Sequence, residues 1–254
     1  MKNLAIILSI IFMSTATYSQ QPSSTSLGNL KKLQKTETGL TIETSFGKAQ
    51  VIVYNARVVR IRIVKSEFEP DFSYAVIAEP GKTNFKVLET EGLITLITDS
   101  LRLDISTDPV RFKFLTTDNR IINQDDSFGT NWVGDEVTTY KKLQDGERFI
   151  GLGEKTGNLD RRGEAHTNWN TDNPGYQVDD DDLYSSFPFY IGIHHGLSYG
   201  IFFDNTHKSL FNFGASNDRF SSFGADAGEM NYYFIFVTNI RQLLNQYTIL
   251  TGRI

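Results

Sequence analysis

The sequence predicts an all-β chain, an antiparallel β-sandwich with one short helix near its C-terminus. Three observations carry that expectation. Val59, Ile61 and Ile63 alternate with Arg60 and Arg62 inside residues 49–64, the period of two expected of a strand with one face in the core and the other in solvent. Further short segments rich in aromatic and β-branched residues recur from Phe85 to Val237, with turn formers between them, so about ten strands are expected. Helical spacing occurs at Ile240, Leu243, Leu244 and Tyr247, behind the polar pair Thr238-Asn239.

Taken in order, residues 1–19 read as a secretory signal peptide. Lys2 precedes the apolar run Leu4–Phe12, and Thr17-Tyr18-Ser19 supplies a small-x-small cleavage site ahead of Gln20. That run is well short of the ~20 apolar residues a membrane-spanning helix needs. The mature protein is therefore expected to be periplasmic or secreted, with no membrane association after cleavage. Residues 20–39, rich in Ser, Gln and Gly at their start, read as a loose leader or linker, and residues 40–254 as the sandwich domain. Phe85–Glu89, Leu93–Thr98, Leu101–Ser106 and Arg111–Leu115 form hairpins in series, punctuated by Thr90-Glu91-Gly92 and Thr107-Asp108-Pro109. A second series comprises Phe187–Ile193, Ser198–Asp204, Ser209–Phe213, Arg219–Gly224 and Met230–Val237, and the helix is expected over Asn239–Thr248.

Composition narrows the chemistry. With 254 residues, 39% hydrophobic, the chain can bury a real core. Twenty-five basic residues against 30 acidic ones, a net charge of −5 and no basic cluster argue against a nucleic-acid partner, because phosphates are neutralised by a Lys/Arg face. The absence of cysteine removes disulfides, thiolate nucleophiles, iron–sulfur clusters and Cys-ligated zinc together.

The informative segment runs from Phe149 to Tyr184, where periodicity fades. Gly151-Leu152-Gly153-Glu154-Lys155 lacks the third glycine of a dinucleotide loop and the Gly-Lys-Ser/Thr of a phosphate loop. Asp160-Arg161-Arg162-Gly163 reads as a salt-bridged clamp on the loop. Asp179–Asp182 reads as a solvated acidic turn, since consecutive acids lack the interrupted spacing of a calcium loop. His194-His195-Gly196 reads as a hairpin turn rather than a zinc site. No resident metal or cofactor is expected. Trp169, Asn170, Asp172, Tyr176 and Tyr184 place flat rings among amide and carboxylate acceptors, a combination that suits carbohydrate: rings pack on the C–H faces of a pyranose while acceptors take its hydroxyls. The bland alternative is that these residues only pin a long loop to the sandwich.

Gly151–Lys155, Leu159–Gly163, Trp169–Asp172, Leu183–Phe189, Tyr199–Asn205 and Tyr247–Arg253, in that order, resemble the N-terminal β-sandwich of the family 31 glycoside hydrolases, relatives of α-glucosidases and α-xylosidases. The resemblance is specific over Phe149–Ile254 and general over Leu40–Arg148. It implies a galactose mutarotase-like sandwich followed by a (β/α)₈ barrel whose two Asp residues perform retaining hydrolysis of an α-glycosidic bond, one as nucleophile and one as acid/base. It also implies a carbohydrate partner, an α-glycoside or oligosaccharide, and a covalently attached barrel. Because this chain stops at Ile254, the barrel is expected to be absent, the chain a truncated product with no catalytic residue of its own and no turnover alone. What carries over is substrate binding by Trp169, Asn170 and above all Asp172, which matches the family's acidic residue at the pocket rim. Two further readings stay open: a free-standing carbohydrate-binding module, and a mutarotase-like epimerase for which His166 is the histidine inside the loop.

Overall fold

The structure is a computed structural model that describes residues 23–253; the segment read as a signal peptide, residues 1–19, lies outside them. In chain order the described strands are β1 (Thr25–Ser26), β2 (Leu30–Lys35), β3 (Gly39–Thr44), β4 (Lys48–Asn55), β5 (Val58–Val64), β6 (Lys86–Thr90), β7 (Leu93–Ile97), β8 (Arg102–Thr107) and β9 (Val110–Leu115). Then come β10 (Ile121–Val133), β11 (Glu136–Lys142), β12 (Arg148–Gly153), β13 (Ala165–Asn168), β14 (Ser186–His194), β15 (Leu197–Phe203), β16 (Ser209–Asn212), β17 (Phe220–Ala225), β18 (Met230–Val237) and the helix α1 (Ile240–Thr251).

They form the expected antiparallel sandwich. One sheet runs β13-β16-β17-β11-β10-β9-β8-β7-β6, with β1 paired to β10, and the other runs β12-β14-β15-β18-β5-β4-β3-β2. Residues 49–64 are a hairpin of β4 and β5 rather than one strand. The main core draws on both sheets: Val51, Ile61 and Phe234 of one meet Leu103, Phe112 and Phe223 of the other, all essentially inaccessible. Phe114 stacks on Phe234 across the gap, centroids 3.8 Å apart.

Two expectations need correction. The loose leader is structured where it is described: β1 pairs with β10 at Thr25–Trp132, and β2 pairs with β3 as an edge strand, because Leu30 and Leu33 pack against the core while the lysines between them face solvent. Arg60 and Arg62 are not on a solvated face, being only 2% and 5% exposed. Residues 65–81 fold over that side of the sheet. Arg60 pairs bidentately with Asp71 at 2.9 Å and Arg62 with Glu229 at 2.8 Å, and each guanidinium also lies over a ring, Tyr233 and Phe68 respectively. A charge taken out of water is tolerated only with such partners. Strands β3 and β10–β13 lie outside the runs singled out in the sequence: β10 carries polar residues through its middle and a register shift between Asp125 and Thr130, whereas β3 does alternate, with Leu40 and Ile42 buried.

The same outer side carries a second apolar cluster under the helix. Asn239 caps α1 by accepting from the Gln242 N–H at 2.9 Å, Leu243 and Leu250 are buried, and Tyr247 stacks on Phe189 at 4.0 Å. The helix runs three residues beyond the expected end, since Leu250 also accepts from the N–H groups of Ile77 and Ala78 in the covering segment.

The interior holds polar groups as well. Lys141, with no exposed surface, donates to Asp125 at 2.6 Å and to the Tyr232 hydroxyl at 3.1 Å. Glu147 accepts from the Tyr199 hydroxyl at 2.7 Å and from the Gln144 N–H at 2.9 Å. Burial outweighs these bonds and Arg162, and pushes the Glu147 carboxyl from 4.5 up to about 7. An acid whose pKa is raised by folding is held protonated in the native state while the unfolded chain ionises, so stability is lost as pH rises from the unfolded value to the folded one. Stability should fall by about 3 kcal/mol through this group between pH 4.5 and about 7 and then level off. Urea midpoints across that range check it: Glu147→Gln should flatten the decline, and an unchanged decline in the variant would assign it to other groups.

Candidate functional site

Strand β12 leaves the sheet through Gly151-Leu152-Gly153, all three at positive φ (135°, 72° and 79°), where the pairing with β14 shifts register. A Cβ on Gly151 would stand 2.5 Å from the Phe189 carbonyl oxygen and one on Gly153 2.3 Å from that of Ser185. The glycines therefore serve a close backbone approach at a bulge and not a phosphate.

The loop beyond is tied down by its own charged residues. Asp160 accepts from the N–H groups of Phe149 and Arg162, Arg161 donates to the Thr156 carbonyl at 2.5 Å, and Arg162 donates to the Glu147 carbonyl at 3.0 Å, which makes this element the expected clamp. Lys155 has a fully buried side chain whose ammonium donates to the carbonyls of Thr167 (2.6 Å) and Asp181 (2.5 Å) and lies 3.5 Å from the Asp181 carboxylate. Burial pulls the Lys155 pKa down, partly offset by Asp181. Asp181 also accepts from the Thr167 N–H. The acidic run is thus only partly solvated: Asp179 is exposed, while Asp181 is a structural anchor drawn inward by Lys155. Lys155→Met should release residues 155–186 with a small effect on global unfolding, because the loop adds little to the sandwich core. Limited proteolysis would show new cleavage in this segment; a protease-resistant variant would contradict the anchoring role.

His166 sits between the carboxylates of Asp181 and Glu164, 2.8 and 3.0 Å from its two ring nitrogens. Both nitrogens are engaged, which leaves none for proton transfer to a sugar and weighs against the epimerase reading. His194 is buried with Nε2 2.7 Å from the Ile122 carbonyl oxygen, and His195 and Gly196 (φ 45° and 73°) make the expected hairpin turn.

The structure divides the aromatic cluster in two. Trp169, 48% exposed, and Asn170 line an open pocket of about 370 Å³ together with Asn168, Pro188 and the Asn205–His207 turn. Asp172 does not line that pocket. Tyr184, which meets Tyr176 edge-to-face at 6.4 Å, does not line it either. Asn170 spends its acceptor on the Ser186 N–H at 2.7 Å, so part of its role is to brace the loop. Asp172 is exposed and makes no hydrogen bond or ion pair among the described residues. The sequence reading missed Asn168, Asn205 and His207. Asn168 ends a short strand, β13, that shows no clear alternation, and both its side-chain polar atoms are buried without a partner among the described residues, at a cost of about 1–3 kcal/mol. No group of three or more His, Asp and Glu side chains among the described residues is placed to hold a metal ion.

The family model for the glycosyl hydrolase 31 N-terminal galactose mutarotase-like domain matches residues 48–212. The chain belongs to that family. As a family 31 N-terminal domain it is similar to alpha-glucosidase 2 of Bacillus thermoamyloliquefaciens, 32% identical over 92% of this chain and 30% of that protein. An alpha-xylosidase of Lactiplantibacillus pentosus is 28% identical over 58% of this chain and 20% of its own length. Among solved structures, a family 31 dextranase of Flavobacterium johnsoniae in complex with glucose superposes with a TM-score of 0.84 at 33% identity, covering 89% of this chain and 28% of the dextranase. The family 31 domain described by this chain therefore spans less than a third of these relatives.

Proposed function

We propose that the chain is the N-terminal domain of an exported family 31 α-glycosidase and that its loop Trp169–Asp172 completes the substrate pocket of a following catalytic barrel. The observation that carries this reading is an exposed carboxylate, Asp172, on a loop that Lys155, Arg161 and Asn170 hold rigidly, with no structural partner of its own. A carboxylate on an anchored loop, with free lone pairs, is suited to accept sugar hydroxyls. The substrate class is an α-glucoside or α-xyloside, supported by the names of the similar proteins, an alpha-glucosidase and an alpha-xylosidase. In this reading the barrel supplies two carboxyl groups about 5–5.5 Å apart, one attacking the anomeric carbon and one protonating the leaving group. The domain itself positions and does not cleave. The test is the kcat/KM of an Asp172→Ala enzyme carrying both domains.

Export is proposed from the pattern of residues 1–19. Intact mass of secreted or periplasmic material should begin at Gln20, because Thr17 and Ser19 are small enough for signal peptidase; retention of residues 1–19 in a membrane fraction would overturn it. A free-standing carbohydrate-binding module is the second reading, favoured by the Trp169 pocket, which is built from this chain alone.

A further inference from the structure

On the outer face of the sheet that contains β10, β11 and β17, far in sequence from the Trp169–Asp172 loop, three rings stand together. Phe128, Tyr140 and Phe220 come from three adjacent strands and meet edge-to-face, with centroids 5.4, 5.8 and 5.1 Å apart. Arg219 braces them, its guanidinium 4.6 Å from the Phe128 centroid and 5.2 Å from that of Phe220, and an ion pair with Asp126 at 3.1 Å holds the arginine. Phe128 is nonetheless 47% exposed. Beside it Tyr140, Thr138, Glu136 and Asn131 line a shallow pocket of about 250 Å³.

We infer that this pocket is a second carbohydrate site, taking one neutral pyranose residue on Phe128 and Tyr140 with Glu136 accepting its hydroxyls. The inference rests on the carbohydrate reading of the family but not on the Trp169–Asp172 loop. Four observations select the ligand. The rings are fixed by their neighbours, so little side-chain freedom is lost when a C–H face packs on them. Glu136 has one long internal contact, from the Thr138 hydroxyl at 3.3 Å, and keeps lone pairs for vicinal hydroxyls. Among the described residues no Lys or Arg lines the pocket, and the Arg219 guanidinium next to Phe128 is paired with Asp126, which disfavours phosphorylated ligands and nucleic acid. A pocket of this size holds one ring, whereas a stable protein partner needs about 800 Å² on each side. A single-ring site binds weakly alone; joined to a processing domain it would hold a polysaccharide nearby by raising its effective concentration.

The experiment is calorimetric titration of the 254-residue chain with glucose and with isomaltotriose. Saturable binding should weaken at least tenfold in Phe128→Ala and in Glu136→Ala, with an unchanged melting temperature in the latter, whose side chain is exposed. Trp169→Ala and Asp172→Ala should leave this component intact, which separates its failure from failure of the loop reading. Permethylated glucose, with no hydroxyl to donate, should not compete. Absence of saturable binding, or binding abolished by Trp169→Ala and untouched by both Phe128→Ala and Glu136→Ala, would overturn the site.

Discussion

Asp125→Ala is expected to cost about 3–5 kcal/mol, because it leaves the ammonium of Lys141 in the sandwich interior with only the Tyr232 hydroxyl to receive it. At roughly 2–4 °C per kcal/mol for a chain of this size, the melting temperature should fall by roughly 6 to 20 °C. Asp125 also accepts from the Phe112 N–H at 2.8 Å, where the β10–β11 register breaks, so part of the loss is a freed backbone donor. The pair itself is not the source of stability: desolvating both ions offsets most of their attraction. The double variant Asp125→Leu with Lys141→Met should therefore recover much of what the single one loses, and a double-mutant cycle reads the coupling. A single variant with an unchanged melting temperature would mean that Lys141 escapes to solvent, contrary to its complete burial.

Asp172→Ala should lower kcat/KM by roughly 10- to 150-fold in an enzyme that carries the barrel, since hydrogen bonds to a charged group contribute about 1.5–3 kcal/mol. Its melting temperature should hardly move. The side chain is exposed, and the loop arginine Arg161 is committed to the Thr156 carbonyl and to Glu164 at 3.7 Å rather than to Asp172. Asn170→Ala should behave differently, loosening the loop by removing the acceptor of the Ser186 N–H, so its loss combines with that of Asp172 non-additively. Trp169→Ala reports on the neighbouring pocket. Wild-type kcat/KM for Asp172→Ala on several α-glycosides, or a fall in melting temperature with equal effects on substrates of every size, would remove Asp172 from substrate recognition.

Strand-forming segments such as β7, β8, β15 and β18 were legible because alternation or uninterrupted β-branched and aromatic residues is a local property of the chain. So were the helix with its Asn239 cap, the His195-Gly196 turn and the clamp at Asp160–Gly163, each set by neighbours within a few residues. The motif series from Gly151 to Arg253 was enough to place the family. Burial of Arg60 and Arg62 was not legible, because it depends on residues 65–81 folding over them and on Glu229, which is distant in sequence. Nor was the inward pull of Asp181, the division of Trp169 from Asp172, or the meeting of Phe128, Tyr140 and Phe220. By itself the sequence determined which segments can be strands and that the chain is a family 31 sandwich. Only the tertiary structure decided which charges are buried and which rings share a surface, because both depend on the free energy of leaving water, set by what packs above a residue and not by what precedes it in the chain.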